Sequence, residues 1–161
     1  MDGGRVIAST REPIPTVVTI NGKKVTTDSQ EFEVKLVEST GAHNEFWYWH
    51  AKTGLIRSAD NGGRCLSWDH TAPNLKAGVR AVVRPCSFKP EEITEKEGAK
   101  YTKDNYHVVS DAKADMCLST KKDKNTEGQL VQWRTCSPTK QHQNWYPMYR
   151  YQATGPHWNR L

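Results

Sequence analysis

Four cysteines and six histidines carry most of the chemistry that this sequence could support. The cysteines are Cys65, Cys86, Cys117 and Cys136, separated by 21, 31 and 19 residues. None lies as close to another as the CxxC pairs that wrap a zinc ion. An even number of widely spaced thiols suits disulfides, and with them an oxidising compartment. Four cysteines allow three pairings in principle. The histidines, His43, His50, His70, His107, His142 and His157, are scattered. They form neither an HExxH pattern nor a close ligand pair. There is no GxSxG elbow and no glycine-rich phosphate loop. The expectation is a protein without catalytic residues, metal or cofactor.

The surroundings of the cysteines repeat. Cys65-Leu66-Ser67 recurs as Cys117-Leu118-Ser119, 52 residues later, and a serine (Ser58, Ser110) stands seven residues before each cysteine. Arg84-Pro85-Cys86 recurs as Arg134-Thr135-Cys136 at a shift of 50. Each copy thus holds one early and one late cysteine, and the repeat selects Cys65–Cys86 and Cys117–Cys136. A cysteine-free copy precedes them: Val6-Ile7-Ala8-Ser9 aligns with Leu55-Ile56-Arg57-Ser58 at a shift of 49. In that alignment Thr16-Val17-Val18 stands in place of Cys65-Leu66-Ser67, and Val34 to Ser39 forms the late strand. Thr16 and Ser39 then replace both cysteines together, which leaves no orphan thiol. A bulky residue follows each late position: Trp47, Ile93 and Trp145. Thr94 to Asn105 reads as a charged surface insertion.

The elements that must position these residues are strands. Apolar runs are short and lie between turn residues, as in Thr16 to Ile20 before Asn21-Gly22. Val34 to Val37 alternates apolar and charged side chains, the period of a half-buried strand. Val79 to Val83 is rich in β-branched residues, and no segment sustains a 3.6-residue period. About four short strands per repeat give an all-β protein. Three repeats are too few for a propeller or a long solenoid, and suit a closed barrel of pseudo-threefold symmetry, the β-trefoil. The expected organisation is a single domain over 1–161, with repeats near 4–53, 54–105 and 106–150 and a tail at 151–161. Hydrophobic residues are only 35% and mean hydropathy is −0.81, but six Trp, six Tyr and three Phe supply bulk for a core.

The early Cys-Leu-x, the late Val-Gln-x-x-x-Cys and a following Gln-x-Trp resemble the ricin B-type lectin repeat. The third copy is the nearest match: Cys117-Leu118-Ser119, Val131 to Cys136, then Gln143-Asn144-Trp145. The resemblance covers the chain to about Trp145. It implies that the Gln-x-Trp tryptophans, Trp47 and Trp145, are core residues. It also implies a sugar site built from four features. These are an Asp two residues after the early Cys, an aromatic two before the late Cys, a Gln four before it, and an Asn-Gln pair. Here the Asp position holds Val18, Ser67 and Ser119. The aromatic position holds Val37, Arg84 and Arg134. The Gln position holds Lys35, Val82 and Gln132. The pair becomes Asn44-Glu45, Pro90-Glu91 and His142-Gln143. The third copy keeps Gln132 and Gln143, and Arg134 could engage an acidic sugar through charge-assisted hydrogen bonds. Candidate ligand residues are therefore Gln132, Arg134, His142, Gln143, Ser119 and Asn44, with Trp68 and Asp69 as a displaced sugar platform.

The expected function is a non-enzymatic binding module for a glycan or glycoprotein, lectin-like with a degenerate site. The rival is a trefoil that binds a protein: a toxin's cell-binding subunit, an effector or an inhibitor. The aromatic, basic run Trp145 to Tyr151 either packs across the barrel or presents a partner-binding patch. The net charge of +5 is spread along the chain, with no nucleic-acid motif and no apolar run long enough to span a membrane. The opening residues lack a leader's apolar run, so a secreted protein would have lost its leader. Extracellular location is expected from the cysteines.

Overall fold

The computed structural model describes residues 5–50, 55–60, 63–86, 99–102, 107–110, 112–121, 126–146 and 158–160. Apart from two short 3-10 turns, the regular elements among these residues are all strands. β1 (Arg5–Ile20) and β2 (Lys23–Glu38) form one long hairpin. Its turn is Asn21-Gly22, both with positive φ (49° and 76°), the backbone that an Asn-Gly hairpin turn requires. β3 (Trp47–His50), β4 (Ile56–Ser58), β5 (Cys65–Trp68) and β6 (Ala81–Arg84) follow, then β7 (Ala99–Thr102), β8 (His107–Ser110), β9 (Met116–Thr120), β10 (Val131–Thr135) and β11 (Trp158–Arg160). The ladders run β1-β2-β6-β5-β4-β3-β11 and β10-β9-β8-β7. β11 therefore brings the end of the chain back onto β3.

Backbone bridges join these two sheets into a ring. Glu33 pairs with Val82, Arg80 with Gln132, and Leu130 with Lys35. Glu33, Arg80 and Leu130 are thus one equivalent set, and Lys35, Val82 and Gln132 another. The flanking hydrogen bonds repeat too. Trp133 N donates to Val79 O (2.7 Å) as Leu36 N donates to Gln129 O (2.9 Å). Gly78 N donates to Trp133 O (2.8 Å) as Gly128 N donates to Leu36 O (2.7 Å). Three equivalent strands closed head to tail, each with its own early partner, are the frame of a β-trefoil. The late-strand assignments Lys35, Val82 and Gln132 agree with this register.

The early strand of the first repeat does not. Lys35, Val82 and Gln132 lie opposite Ala8, Ser67 and Ser119. The counterpart of Cys65-Leu66-Ser67 is therefore Val6-Ile7-Ala8, and Thr16-Val17-Val18 lies far out along the hairpin. Val6 and Ser39, not Thr16 and Ser39, occupy the places of the cysteine pair. Both segments of β1 are β-branched and alternating, so composition could not separate them; only the ladder does. Nor are all strands short, since β1 and β2 each run 16 residues. Ser9 and Ser58, aligned by sequence, are contacts: their hydroxyls share a buried hydrogen bond of 2.7 Å.

The disulfides are Cys65–Cys86 and Cys117–Cys136, with Cα separations of 5.1 and 4.9 Å. Each clips the start of an early strand to the residues just past its late partner, and closing loops of this length is worth about 3 kcal/mol.

The core is built in layers from the ring strands: Val34, Ala81 and Val131, then Leu36, Val83 and Trp133, all buried. The Gln-x-Trp tryptophans take equivalent seats. Trp47 is buried and donates its indole N–H to Ile7 O (2.8 Å). Trp145 packs against the core and donates to Leu118 O (3.0 Å), the counterpart of Ile7. In the second repeat Ile93 lies outside the described residues. The seat falls to Ala99, because Ala99 pairs with Ser110 as Trp47 pairs with Ser58. Ala99 to Thr102, placed by sequence in an insertion, is β7. Ala99 puts no indole in that seat, and Trp133 of the third repeat belongs to the same buried core cluster. Its indole is fully buried and donates to Ser67 O (3.2 Å), next to Leu66, the counterpart of Ile7 and Leu118.

Trp133→Val should therefore cost several kcal/mol, within the roughly 3–5 kcal/mol of large aromatic truncations. Adding Ala99→Trp should recover part of that loss, whereas Ala99→Trp alone should overpack the core and destabilise. Denaturant unfolding of the three variants checks this, and strict additivity would refute coupling between the two positions.

Candidate functional site

The long hairpin leans on the second repeat through Arg64, whose Nε donates to Gln30 O (2.9 Å) and whose guanidinium lies 4.8 Å from the centre of the Phe32 ring. Between the two elements lies a cleft of about 400 Å³. Ile14, Pro15, Thr16, Ser29, Gln30 and Glu31 form the hairpin wall, and His70, Thr71, Arg84 and Pro85 the other. At its base Arg84 Nε lies 3.4 Å from Glu31 Oε1. Arg84 Nη1 donates to the His70 imidazole, and the His70 ring stacks on Trp68 at 3.9 Å between centroids. Glu31 is held in turn by the Ser29 hydroxyl, which accepts from its N–H (3.1 Å) and donates to its carbonyl (3.3 Å).

Glu31 breaks the repeat. Counting from the ring bridges, it occupies the place of Gly78 and Gly128. Those two glycines have positive φ (96° and 73°), whereas Glu31 continues β2 and adds a carboxylate. The counterparts of Arg84 are Val37 and Arg134, neither of which has an acid at the corresponding place across from it. Burial pushes the Glu31 carboxyl above its ordinary value, and the positive charges of Arg84 and Arg80 pull against that while Asp69 adds to it.

A second layer of charge holds the cleft's floor. Asp69 is buried; it accepts from Thr71 N (3.0 Å) and Thr71 Oγ1 (2.7 Å) and pairs with Arg80 Nε (3.1 Å). Arg80 Nη1 reaches Glu33 (3.0 Å), which also pairs with Lys35 (3.3 Å). Lys35 extends the chain to the exposed Glu12 (2.7 Å). Asp69 therefore shapes the turn that carries His70 and Thr71, and its carboxylate is engaged inside the protein.

The third-repeat candidates are also engaged. Ser119 is buried and donates to Thr120 O (3.2 Å). Gln132 is buried and donates to Lys121 O (3.2 Å). Gln143, 1% exposed, donates to Thr135 O (2.9 Å) and accepts from Ser137 N (2.8 Å). Arg134 and His142 are half-buried nearby. Asn44, also half-buried, donates to Ser9 O (3.0 Å) in the first repeat. Trp68 is half-buried beside the cleft. Of the sequence candidates only Trp68 and Asp69 adjoin the cleft. Glu31 and Ser29 were not legible, because nothing local to β2 shows that it faces the second repeat. Arg84 and His70 were visible as motif positions.

His107, Cys117 and Cys136 form the one cluster of metal-ligand types among the described residues, with His107 Nδ1 3.5 Å from Cys117 Sγ. Both sulfurs are joined to each other, so neither is a thiolate ligand.

Glu45 explains what the Gln-x-Trp glutamine does. His43–Glu45 and Gln141–Gln143 are matching 3-10 turns. Glu45 accepts from Thr40 N (2.8 Å), Gly41 N (2.9 Å) and Ser39 Oγ (3.2 Å), as Gln143 accepts from Ser137 N. Both side chains staple the loop that leaves the late strand. Burial alone would raise the Glu45 carboxyl, but these donors outweigh it and hold it below its ordinary value.

No protein-family model matches the chain, and no curated protein matches it. Solved structures do share its architecture. ThreeFoil, a designed 3-fold symmetric protein, superposes with a TM-score of 0.57 at 13% identity, over 83% of this chain and 83% of that one. The solution structure of the mdaA-1 domain gives 0.57 at 16% identity, over 82% and 81%. The fold is the β-trefoil.

A lowered carboxyl stabilises the folded state when ionised, so its contribution should fade as pH falls below about 4.3, the ordinary glutamate value. Thermal unfolding of Glu45→Gln should accordingly show less loss of stability between neutral and acid pH than the parent. Parallel pH profiles would refute the stapling role of the charge.

Proposed function

We propose that this chain is a non-enzymatic binding module that takes carbohydrate in the cleft of its second repeat. The observation that carries the reading is the Glu31–Arg84 pair at the base of a cleft walled by Ile14, Pro15 and Pro85. Sugars present paired hydroxyls on one edge and C–H groups on a face. A carboxylate and a guanidinium side by side accept from and donate to such hydroxyls. Prolines and an isoleucine offer the flat apolar wall that the C–H face needs. The volume falls within the roughly 300–1,000 Å³ of small-ligand sites.

The resemblance to ricin B-type repeats supports the same place. Arg84 stands where that family positions its stacking aromatic; the family's carboxylate position holds Ser67, and Glu31 supplies a carboxylate to Arg84 from the other side of β6. The family assignment is part of this proposal, as is the absence of catalysis: Glu31 is tied to Arg84, an arrangement suited to recognition. Two disulfides are consistent with an extracellular protein. A second reading, a trefoil that binds a protein, is favoured by Tyr146, 66% exposed at the start of the aromatic tail. The rest of that run, 147–151, lies outside the described residues.

A broad glycan array should return binders. Glu31→Gln and Arg84→Met should each weaken the best of them by at least about tenfold, as loss of a charge-assisted hydrogen bond implies. Gln132→Ala should leave affinity unchanged. Affinity for the same glycan should also fall in acid as Glu31 takes up its proton. An empty array, or binding indifferent to both cleft variants, refutes the reading.

A further inference from the structure

Past the cleft, the hairpin continues outward with no other strand of the described residues paired to it. Its ladder runs from Pro15↔Asp28 to Ile20↔Lys23, and the ladder between β2 and β6 pairs only Phe32 and Glu33 of β2. At about 3.4 Å per residue this ribbon reaches roughly 20 Å beyond its base. Four of the five large hydrophobic side chains exposed among the described residues lie on it: Val17 (61%), Ile20 (55%), Val25 (41%) and Val18 (36%). Val18 and Val25 are cross-strand partners and share a face with Ile20, while Val17 points to the opposite face. The tip carries Lys23 and Lys24, both exposed, and no acidic residue occurs from 13 to 27.

We propose that the end of this ribbon docks on membrane surfaces that contain anionic lipid. Charge complementarity selects the occupant: two successive lysines follow the turn at the start of β2 with no acid from 13 to 27, and anionic headgroups attract such a segment. Apolar side chains on both faces favour a surrounding medium over a partner's groove, which would cover only one. Lysine stems can lie along the apolar layer while their ammonium groups stay with the phosphates. Among the described residues no strand pairs with the ribbon's two outer edges, and such edges do not enter the hydrocarbon core. Docking is therefore shallow, with the last turn settling about 5–10 Å into the headgroup boundary. The cleft at Glu31 and Arg84 lies at the ribbon's base and stays in water, so the inference is independent of sugar binding.

Vesicle co-sedimentation of the full chain tests it, using phosphatidylcholine alone and phosphatidylcholine with about 30% phosphatidylserine. Binding is expected only with phosphatidylserine, and should weaken with added salt. Ile20→Asp, and Lys23→Glu with Lys24→Glu, should each reduce it at least about tenfold without changing the unfolding temperature, since neither site touches the core. A charge-matched pair elsewhere, Lys113→Glu with Lys140→Glu, should leave binding intact. Loss in that control would assign binding to net charge and overturn the proposal. So would equal binding to both vesicles, or unchanged binding in the tip variants. A dimer in light scattering that Ile20→Asp dissolves, with no vesicle binding, would overturn it in favour of a second copy covering the ribbon.

Discussion

The bridges Glu33–Val82, Arg80–Gln132 and Leu130–Lys35 hold three late strands in a closed ring, and most other features depend on that closure. An open sheet would leave edges needing protection. A ring of three pairs the ring segments of the late strands with one another and directs alternate side chains of each inward. Val34, Ala81 and Val131, with Leu36, Val83 and Trp133, then meet as layers, and each early strand needs only to lie beside its own late partner. The disulfides clip two of these partnerships. The first repeat, which has none, holds the same pairing through a longer ladder instead.

Closure also explains how the core tolerates unequal residues. The three seats of the Gln-x-Trp position are filled by Trp47, Ala99 and Trp145. A tryptophan missing from one seat opens space at a place that is not surface, so water cannot fill it cheaply. Trp133, in the same buried cluster, contributes an indole whose N–H finds Ser67 O, one residue along from Leu66, the counterpart of Ile7 and Leu118. What the fold conserves across its repeats is the bulk near the axis and a carbonyl partner for each N–H, more than the position of the tryptophan in its repeat.

The legible part of the molecule was the part with chemical labels. Cysteines and the Arg-x-Cys steps marked the late strands well enough to equate Lys35, Val82 and Gln132, and the disulfides followed. In the first repeat only β-branched residues remained, and Val6-Ile7-Ala8 could not be told from Thr16-Val17-Val18 by type. Trp133 read as one residue of a strand because its indole's partner, Ser67 O, is 66 residues away and belongs to another repeat. Gln132 and Gln143 looked like ligand groups because amides serve hydroxyls and backbone equally well. Both are buried and bonded to backbone carbonyls.

The cleft arises from the same cause as these misreadings, the departure of one repeat from the other two. Where repeats two and three have Gly78 and Gly128 at the entry to the ring strand, the chain turns sharply and adds no side chain. Repeat one runs straight through this point as β2, so its hairpin continues outward and Glu31 gains a side chain facing Arg84. A glycine at 31 would remove the carboxylate. A turn there would remove the hairpin wall with Ile14 and Pro15. Both halves of the cleft, the charged base and the apolar side, thus follow from one local choice of extended backbone over a left-handed turn. The symmetric frame supplies Arg84 and its counterparts Val37 and Arg134 alike; only the asymmetric strand turns one of those positions into a site.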